Sequence, residues 1–300
     1  MSFRSLIILG AVSVAGSANA QLVFGHTYYS STEPGFSGAV YLDVQTGQSK
    51  QLWTGAGSRK VNGLAADNTN QIMYANDAAL LLRWSFGALG TQPTQINGLY
   101  RLGSNNTVYA TGVDGLAFAN SKLYAYTNYN AGGSAAFVED GIYEVDVNNT
   151  TAATPNMTLK WMHSDLQYDL KGLEFNSGDG LFYATNTAAA NAAGIYTIDV
   201  LGSQAITKIA DFHPSLGTPD GLAIGGGYIW LTGKQTGDTT LKVVGYNLAT
   251  HAYDQFFSVA GFSTTGRGTG ATWAPQAVPE PGTLAALGLG ALALLRRRRK

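Results

Sequence analysis

Cysteine is absent from the 300 residues of the chain, so disulfide scaffolds, Cys-ligated metal sites and thiol nucleophiles are excluded. Charged residues make up only 12% of the chain, against a usual share of about 25%. Between residues 21 and 278 the 12 basic and 18 acidic residues give a net charge of −6. That charge excludes a basic nucleic-acid-binding surface.

Helical periodicity and common catalytic motifs are also missing. Outside the two ends, no stretch has a long 3.6-residue hydrophobic period, so helices are a minor element. The four histidines are scattered, and Gly-x-Ser-x-Gly, His-Glu-x-x-His and P-loop motifs do not occur. Because 45% of the residues are hydrophobic, the chain still has ample side chains for a folded core.

The first 20 residues have the pattern of a secretory signal peptide. Arg4 supplies the positive charge, an apolar run follows, and Ala18 and Ala20 form the small-x-small cleavage site. The sequence therefore predicts a signal helix over residues 1–20 that is removed after Ala20; a buried first helix is the alternative.

The C-terminal end carries a second export pattern. Pro279, Glu280 and Pro281 precede a Gly/Ala/Leu run, and the chain ends in the basic cluster Arg296–Lys300, which is expected to stay on the cytoplasmic side of a membrane. This order of features resembles the PEP-CTERM sorting signal. The resemblance implies a transmembrane helix within residues 277–300, transient membrane insertion and an exosortase as processing partner. The protein would then reach the cell surface or extracellular matrix of a Gram-negative-type bacterium; an ordinary membrane anchor is the alternative.

The middle of the chain, residues 21–276, is a repeat. One phrase recurs at intervals of about 50 residues, and each copy is followed by a polar turn and an aromatic-rich strand. The copies are Asn62-Gly63-Leu64-Ala65, Asp114-Gly115-Leu116-Ala117, Lys171-Gly172-Leu173-Glu174, Asp220-Gly221-Leu222-Ala223 and the weaker Thr269-Gly270-Ala271-Thr272.

Four short strands in each repeat predict an all-β, five-bladed β-propeller. The N-terminal part supplies strands two to four of a blade, at Thr27–Ser31, Ala39–Asp43 and Gln51–Thr54, and Gly268–Ala274 supplies the missing first strand. Pairing of the N- and C-terminal strands would therefore close the ring. Six blades are the alternative, if Leu80–Phe86 forms an additional strand.

The residues before the repeated glycines are expected to circle one mouth of the central channel. Asn62, Asp114 and Asp220 are hard oxygen donors, and Glu174 adds a carboxylate where the other clear copies have Ala. These four residues predict a site for a divalent cation, Ca²⁺ above all. Lys171 in the same ring opposes that prediction, and an Asp/Asn-Gly turn into each strand is the alternative.

The Asp/Asn-Gly-Leu-Ala phrase resembles that of gluconolactonase-type propellers. The resemblance implies one divalent ion that activates water or polarises a lactone carbonyl. It covers only the phrase and the architecture, and those enzymes have six blades.

Two segments predicted as long loops, 77–97 and 128–140, would carry aromatic residues on the same face. Trp84, Phe86, Tyr129 and Phe137 could stack on sugar rings or hold the loops down. The sequence thus favours a non-catalytic binding or structural module, with exopolysaccharide as a candidate ligand. A metal-dependent lactonase-like hydrolase or polysaccharide-active enzyme is the alternative.

Overall fold

The structure is a computed structural model of the chain. It describes residues 21–26, 38–52, 60–86, 94–102, 107–109, 112–128, 140–149, 156–163, 168–188, 193–217, 219–262 and 264–274. The signal and sorting segments, with the two helices predicted there, lie outside the described residues. Within the described residues, no helix has the length and apolar character needed to cross a bilayer.

Five four-stranded antiparallel sheets form the blades of a propeller, which confirms the predicted fold. From the axis outward, blade 1 contains β22 (Gly268–Trp273), β1 (Gln21–His26), β2 (Ala39–Asp43) and β3 (Ser49–Gln51). Blade 2 contains β4 (Gly63–Asp67), β5 (Ile72–Asp77), β6 (Leu80–Ser85) and β7 (Thr94–Gly98). Blade 3 contains β10 (Val113–Ala119), β11 (Lys122–Thr127), β12 (Gly141–Val145) and β13 (Met157–Met162). Blade 4 contains β14 (Leu170–Asn176), β15 (Leu181–Asn186), β16 (Gly194–Ile198) and β17 (Ile206–Ala210). Blade 5 contains β18 (Gly221–Gly225), β19 (Tyr228–Gly233), β20 (Thr240–Asn247) and β21 (Ala252–Ala260).

Two small elements lie between blades. A hairpin of β8 (Tyr100–Leu102) and β9 (Thr107–Tyr109) follows blade 2, and a 3-10 helix (Pro214–Leu216) joins blades 4 and 5.

The first and last strands of the described residues close the ring, as the sequence predicts. Strand β1 pairs antiparallel with both β22 and β2, and the amide of Ala274 donates to the carbonyl of Gln21 over 3.0 Å. The second strand of this blade is Gln21–His26. The prediction that Thr27–Ser31 forms this strand was therefore wrong. A continuous apolar run places this strand one segment earlier, because Leu22, Val23 and Phe24 are all fully buried, with Val23 in one hydrophobic cluster and Leu22 and Phe24 in another.

The glycines of the repeated phrase bring the five inner strands into close contact around the axis. Each glycine abuts the backbone of the next inner strand, so a side chain there would collide with that backbone. A Cβ on Gly63 would lie 2.8 Å from Leu116 N, on Gly115 3.0 Å from Leu173 N, on Gly172 2.6 Å from Leu222 N, on Gly221 3.2 Å from Gly270 C, and on Gly270 2.8 Å from Gly63 Cα. We call these five residues the glycine ring; the last of them returns to the first.

Hydrophobic side chains fill the spaces between blades. The leucine after each of the first four ring glycines is buried against the preceding blade; for example, Leu116 packs with Tyr74 of blade 2 and Leu222 with Tyr183 of blade 4. Burial on both faces explains the low content of charged residues, since each blade is covered by its two neighbours.

Blade 2 differs from its prediction in two ways. Segment 80–86 contains β6, the third strand of this blade, so it is neither a loop nor the start of a sixth blade. Trp84 and Phe86, predicted as loop aromatics that could stack on sugar rings or hold the loop down, are 6% and 2% exposed and pack against blade 1. The prediction that they face a ligand was wrong because their strand alternates into the core.

Gly115→Ala is expected to destabilise the fold by about 1–3 kcal/mol, because the new methyl group would meet the backbone and Cβ of Leu173. Urea unfolding followed by tryptophan fluorescence measures the change. Gly178→Ala is the matched control, since its Cβ would meet only the Asn176 side chain, at 3.2 Å. Equal stability of the two variants would contradict the glycine ring.

Candidate functional site

The central channel has two mouths with different chemistry. Residues that precede the ring glycines lie at the mouth where the inner strands begin, which we call the charged mouth. Residues in the turns between each first and second strand lie at the opposite end, which we call the hairpin mouth. Because each inner strand has only five to seven residues, the side chains near its two ends lie at opposite mouths of the channel.

An ion-paired cluster occupies the charged mouth. The Lys171 ammonium lies 2.5 Å from Asp114 Oδ2 and 3.2 Å from Asp169 Oδ1. The hydroxyl of Thr187 donates to Asp169 Oδ2 over 2.6 Å, and the side-chain amide of Asn128 donates to Asp169 Oδ1. Lys171 therefore cross-links blades 3 and 4 beside the axis.

Burial and charge act against each other in this cluster. Burial raises the pKa of Asp114, and the neighbouring Lys171 ammonium partly offsets this. Burial also raises the pKa of Asp220, to about 6, against the lowering effects of Arg267 and Lys171. Although burial disfavours the Lys171 ammonium, the carboxylates of Asp114 and Asp169 raise its pKa, so this lysine is charged at neutral pH.

The four residues predicted to bind a cation are not brought together. The carboxylate of Asp114 is paired with the Lys171 ammonium. Glu174 follows Lys171 by three residues along β14, which displaces it by about 10 Å toward the hairpin mouth. Asn62 and Asp220 precede their ring glycines, as predicted, but among the described residues no three His, Asp or Glu side chains are grouped to hold a metal ion.

A pocket of about 650 Å³ opens at the hairpin mouth. The third residue after each ring glycine lines it, and we call these five residues the collar: Ala66, Phe118, Phe175, Ile224 and Trp273. All five blades thus contribute one collar residue. Its polar lining comes from hairpin turns, and includes Asn68, Asn120, Ser121, Asn176 and Ser177.

The aromatic collar residues are held from behind by other rings. Phe118 stacks on Tyr74 with centroids 6.0 Å apart, and Trp273 stacks on Trp230 at 6.1 Å. Phe175 packs on Phe182 at 5.1 Å. This support keeps the rings in fixed positions around the pocket.

Glu174 lies beside the axis, where it also lines the pocket. The residue is 6% exposed, and burial raises its pKa to about 8, with Thr272 and the backbone of Phe175 and Trp273 lowering it in part. In the equivalent position the other blades have Ala65, Ala117, Ala223 and Thr272. Glu174 is therefore mainly a neutral carboxylic acid at pH 7.

Sequence reasoning singled out Glu174 but missed the collar. The collar could have been found from the sequence, because a large apolar residue recurs three positions after the ring glycine in blades 1, 3, 4 and 5. Tyr129 and Phe137, the two other aromatics predicted on this protein's ligand face, lie outside the described residues.

Comparison with known proteins identifies one segment of the chain. Residues 277–300 match the PEP-CTERM protein-sorting motif, which implies export and exosortase-dependent sorting. A search of curated proteins found no match.

Solved structures with a similar shape are distant in sequence. A proposed 6-phosphogluconolactonase from Bacteroides fragilis is 11% identical with a TM-score of 0.47, over 86% of this chain and 99% of that one. TolB from Acinetobacter baumannii is 12% identical with a TM-score of 0.48, over 86% and 67% of the two chains. At these values the likenesses say nothing about function, and the propeller assignment rests on the strand topology.

Lys171→Met is expected to lower the free energy of unfolding by about 1–3 kcal/mol, because it leaves the half-buried Asp114 carboxylate without its counter-charge. Chemical denaturation at pH 7.5 measures the loss. Lys122→Met, which removes an exposed pair with Glu144, is the control and should change stability little. A loss no larger than the control's would show that the pair does not stabilise the mouth.

Glu174 should also make stability depend on pH. Its pKa is about 8 in the folded protein and 4.5 as an unperturbed group, so between these values the folded state holds an extra proton. The contribution of Glu174 therefore declines by up to about 1.4 kcal/mol per unit as pH rises from 5 to 8, then levels off. Urea unfolding of wild type and Glu174→Gln at five pH values measures the difference; parallel profiles would contradict the raised pKa.

Proposed function

We propose that this exported propeller is a non-catalytic binding module for extracellular polysaccharide, and that the pocket at the hairpin mouth holds the sugar. The observation that carries this proposal is the aromatic-walled pocket of about 650 Å³ on the axis. Its volume falls within the range of about 300–1,000 Å³ that is typical of ligand sites.

The lining of the pocket suits a sugar ring. Phe118, Phe175 and Trp273 offer faces or edges on which the apolar C–H surface of a sugar can pack. The turn residues Asn120 and Ser121 add an amide and a hydroxyl that can donate to and accept from the hydroxyl groups of a sugar. An apolar wall with a polar rim suits a sugar, which has an apolar C–H surface and polar hydroxyl groups.

Export would proceed through the two ends of the chain. We propose that residues 1–20 direct secretion and are removed after Ala20. The helix expected within residues 277–300 would then insert transiently, and an exosortase would process the chain near Pro279-Glu280-Pro281. The domain would be delivered to the cell surface or matrix of a Gram-negative-type bacterium, where it would bind exopolysaccharide.

A metal-dependent lactonase or polysaccharide-active enzyme is the weaker proposal. It would need a cation at the charged mouth, and the Lys171 ammonium lies among the carboxylates there. Lactone hydrolysis by the purified protein, abolished by a chelator and restored by Ca²⁺, would favour the enzyme instead.

Phe175→Ala is expected to weaken binding of the producing cell's exopolysaccharide about tenfold, because the collar loses one ring. Affinity electrophoresis in gels that contain the purified polysaccharide measures the change. Phe256→Ala removes an aromatic ring that is 53% exposed on the outer strand β21, away from the pocket, and should leave affinity unchanged. Equal retardation of both variants and wild type would place the binding surface elsewhere.

A further inference from the structure

Glu174 is a buried carboxylate that the fold itself does not require. Three equivalent inner-strand positions have alanine, so the blade geometry tolerates a methyl group there. The nearby Thr272 hydroxyl and the backbone amides of Phe175 and Trp273 lower the pKa of Glu174 in part, but its Oε2 atom is fully buried, and no hydrogen bond of normal geometry to that atom is found among the described residues. A buried acceptor without a hydrogen bond lowers the stability of the folded protein by about 1–3 kcal/mol. A bound ligand that donates a hydrogen bond to Oε2 would remove this cost.

The charge around the pocket is of one sign. Among the described residues that line it, Glu174 and Asp67 are the ionisable ones, and Lys, Arg and His do not contribute. Asp67 already accepts hydrogen bonds from the amides of Thr69 and Asn70 and from the Asn70 side chain, at 2.7–3.1 Å. The environment therefore disfavours an anionic ligand and leaves Glu174 as the counter-ion for a cationic one.

The collar favours a cation as well. Aromatic rings attract cations to their faces, with a strength of about 0.5–2 kcal/mol that is greatest where water is excluded. Phe118, Phe175 and Trp273 surround the same pocket that Glu174 lines. A small metal ion fits less well, since no three His, Asp or Glu side chains are grouped among the described residues and aromatic rings are not metal ligands.

We propose that the pocket binds a hexosamine unit with a free amino group, whose ammonium pairs with the Glu174 carboxylate inside the aromatic collar. This inference rests on the proposed function and names its ligand class: a polysaccharide that contains deacetylated amino sugars. The sugar ring would pack on the collar, and its hydroxyl groups would meet the turn residues at the rim.

Binding should be coupled to proton release. Burial raises the pKa of Glu174 to about 8, so at pH 6.5 the side chain of the free protein is protonated. An ammonium ion stabilises the ionised carboxylate, and the proton leaves as the sugar binds. Asp67 lines the same pocket, and Tyr183, the cross-strand neighbour of Glu174, stays protonated because burial raises its pKa to about 12.

The test is isothermal titration calorimetry of the full exported protein at pH 6.5 with three tetrasaccharides: β-1,4-linked glucosamine, its N-acetylated form, and glucose. Two buffers with different heats of ionisation report the protons exchanged. We expect the glucosamine tetramer to bind at least tenfold more tightly than the other two, with a net release of up to one proton, since only an amino group that is already charged before binding sends the Glu174 proton to the solvent. The neutral tetramers should bind without proton release.

Glu174→Gln should reduce the preference for glucosamine to less than threefold and abolish proton release, while binding of the neutral tetramers persists. Glu174→Ala, the residue present in blades 2, 3 and 5, is a second variant if the glutamine side chain disturbs folding. Asp254→Asn is the matched control, because it removes an acid from the outer strand β21, and the preference should be unchanged.

The outcomes separate the two proposals. Equal binding of all three tetrasaccharides, or a preference that survives in both Glu174 variants, would overturn the ammonium inference and leave polysaccharide binding intact. Stabilisation by Ca²⁺ alone with no sugar binding would overturn it in favour of a metal site. Failure to bind any of the tetrasaccharides or the native exopolysaccharide would overturn the proposed function as well.

Discussion

The close approach of five inner-strand backbones around one axis is the constraint on which the rest of the structure depends. Each ring glycine leaves room for the backbone of the next blade, and Gly270 returns to Gly63, so the series closes after five blades. Because the channel is narrow, residues at fixed distances from the glycines converge on the axis from every blade. The collar is one such set, three residues beyond the ring.

Glycine-ring geometry also explains why one strand can serve two different environments. In β14, Lys171 precedes Gly172 and pairs with Asp114 and Asp169 at the charged mouth. Glu174 follows the same glycine and lies at the hairpin mouth, among aromatic rings. At the charged mouth the carboxylates of Asp114 and Asp169 are both paired with Lys171, whereas the hairpin mouth keeps a carboxylic acid with an oxygen atom that has no hydrogen bond of normal geometry. The second environment is the better suited to a ligand.

The sequence predicted the architecture well because the glycine phrase recurs at a nearly constant spacing, and because the strand missing from the first repeat is present after the last one. It predicted the site poorly for a geometric reason. Asp114 and Glu174 look like partners in the linear pattern, but a strand advances about 3.3 Å per residue, which separates them along the channel. Trp84 and Phe86 looked like loop residues because burial between blades depends on the neighbouring blade, which the local sequence does not contain. The five collar residues lie on five different blades, so they come together only in the closed propeller and not in any local stretch of sequence.

A crystal structure of the exported protein grown with a glucosamine tetramer is the most direct test of this account. The account predicts a sugar ring against the collar, with its ammonium nitrogen about 2.7–2.9 Å from a Glu174 carboxylate oxygen. A tetramer bound at the charged mouth or along an outer strand, with the hairpin-mouth pocket empty, would contradict it.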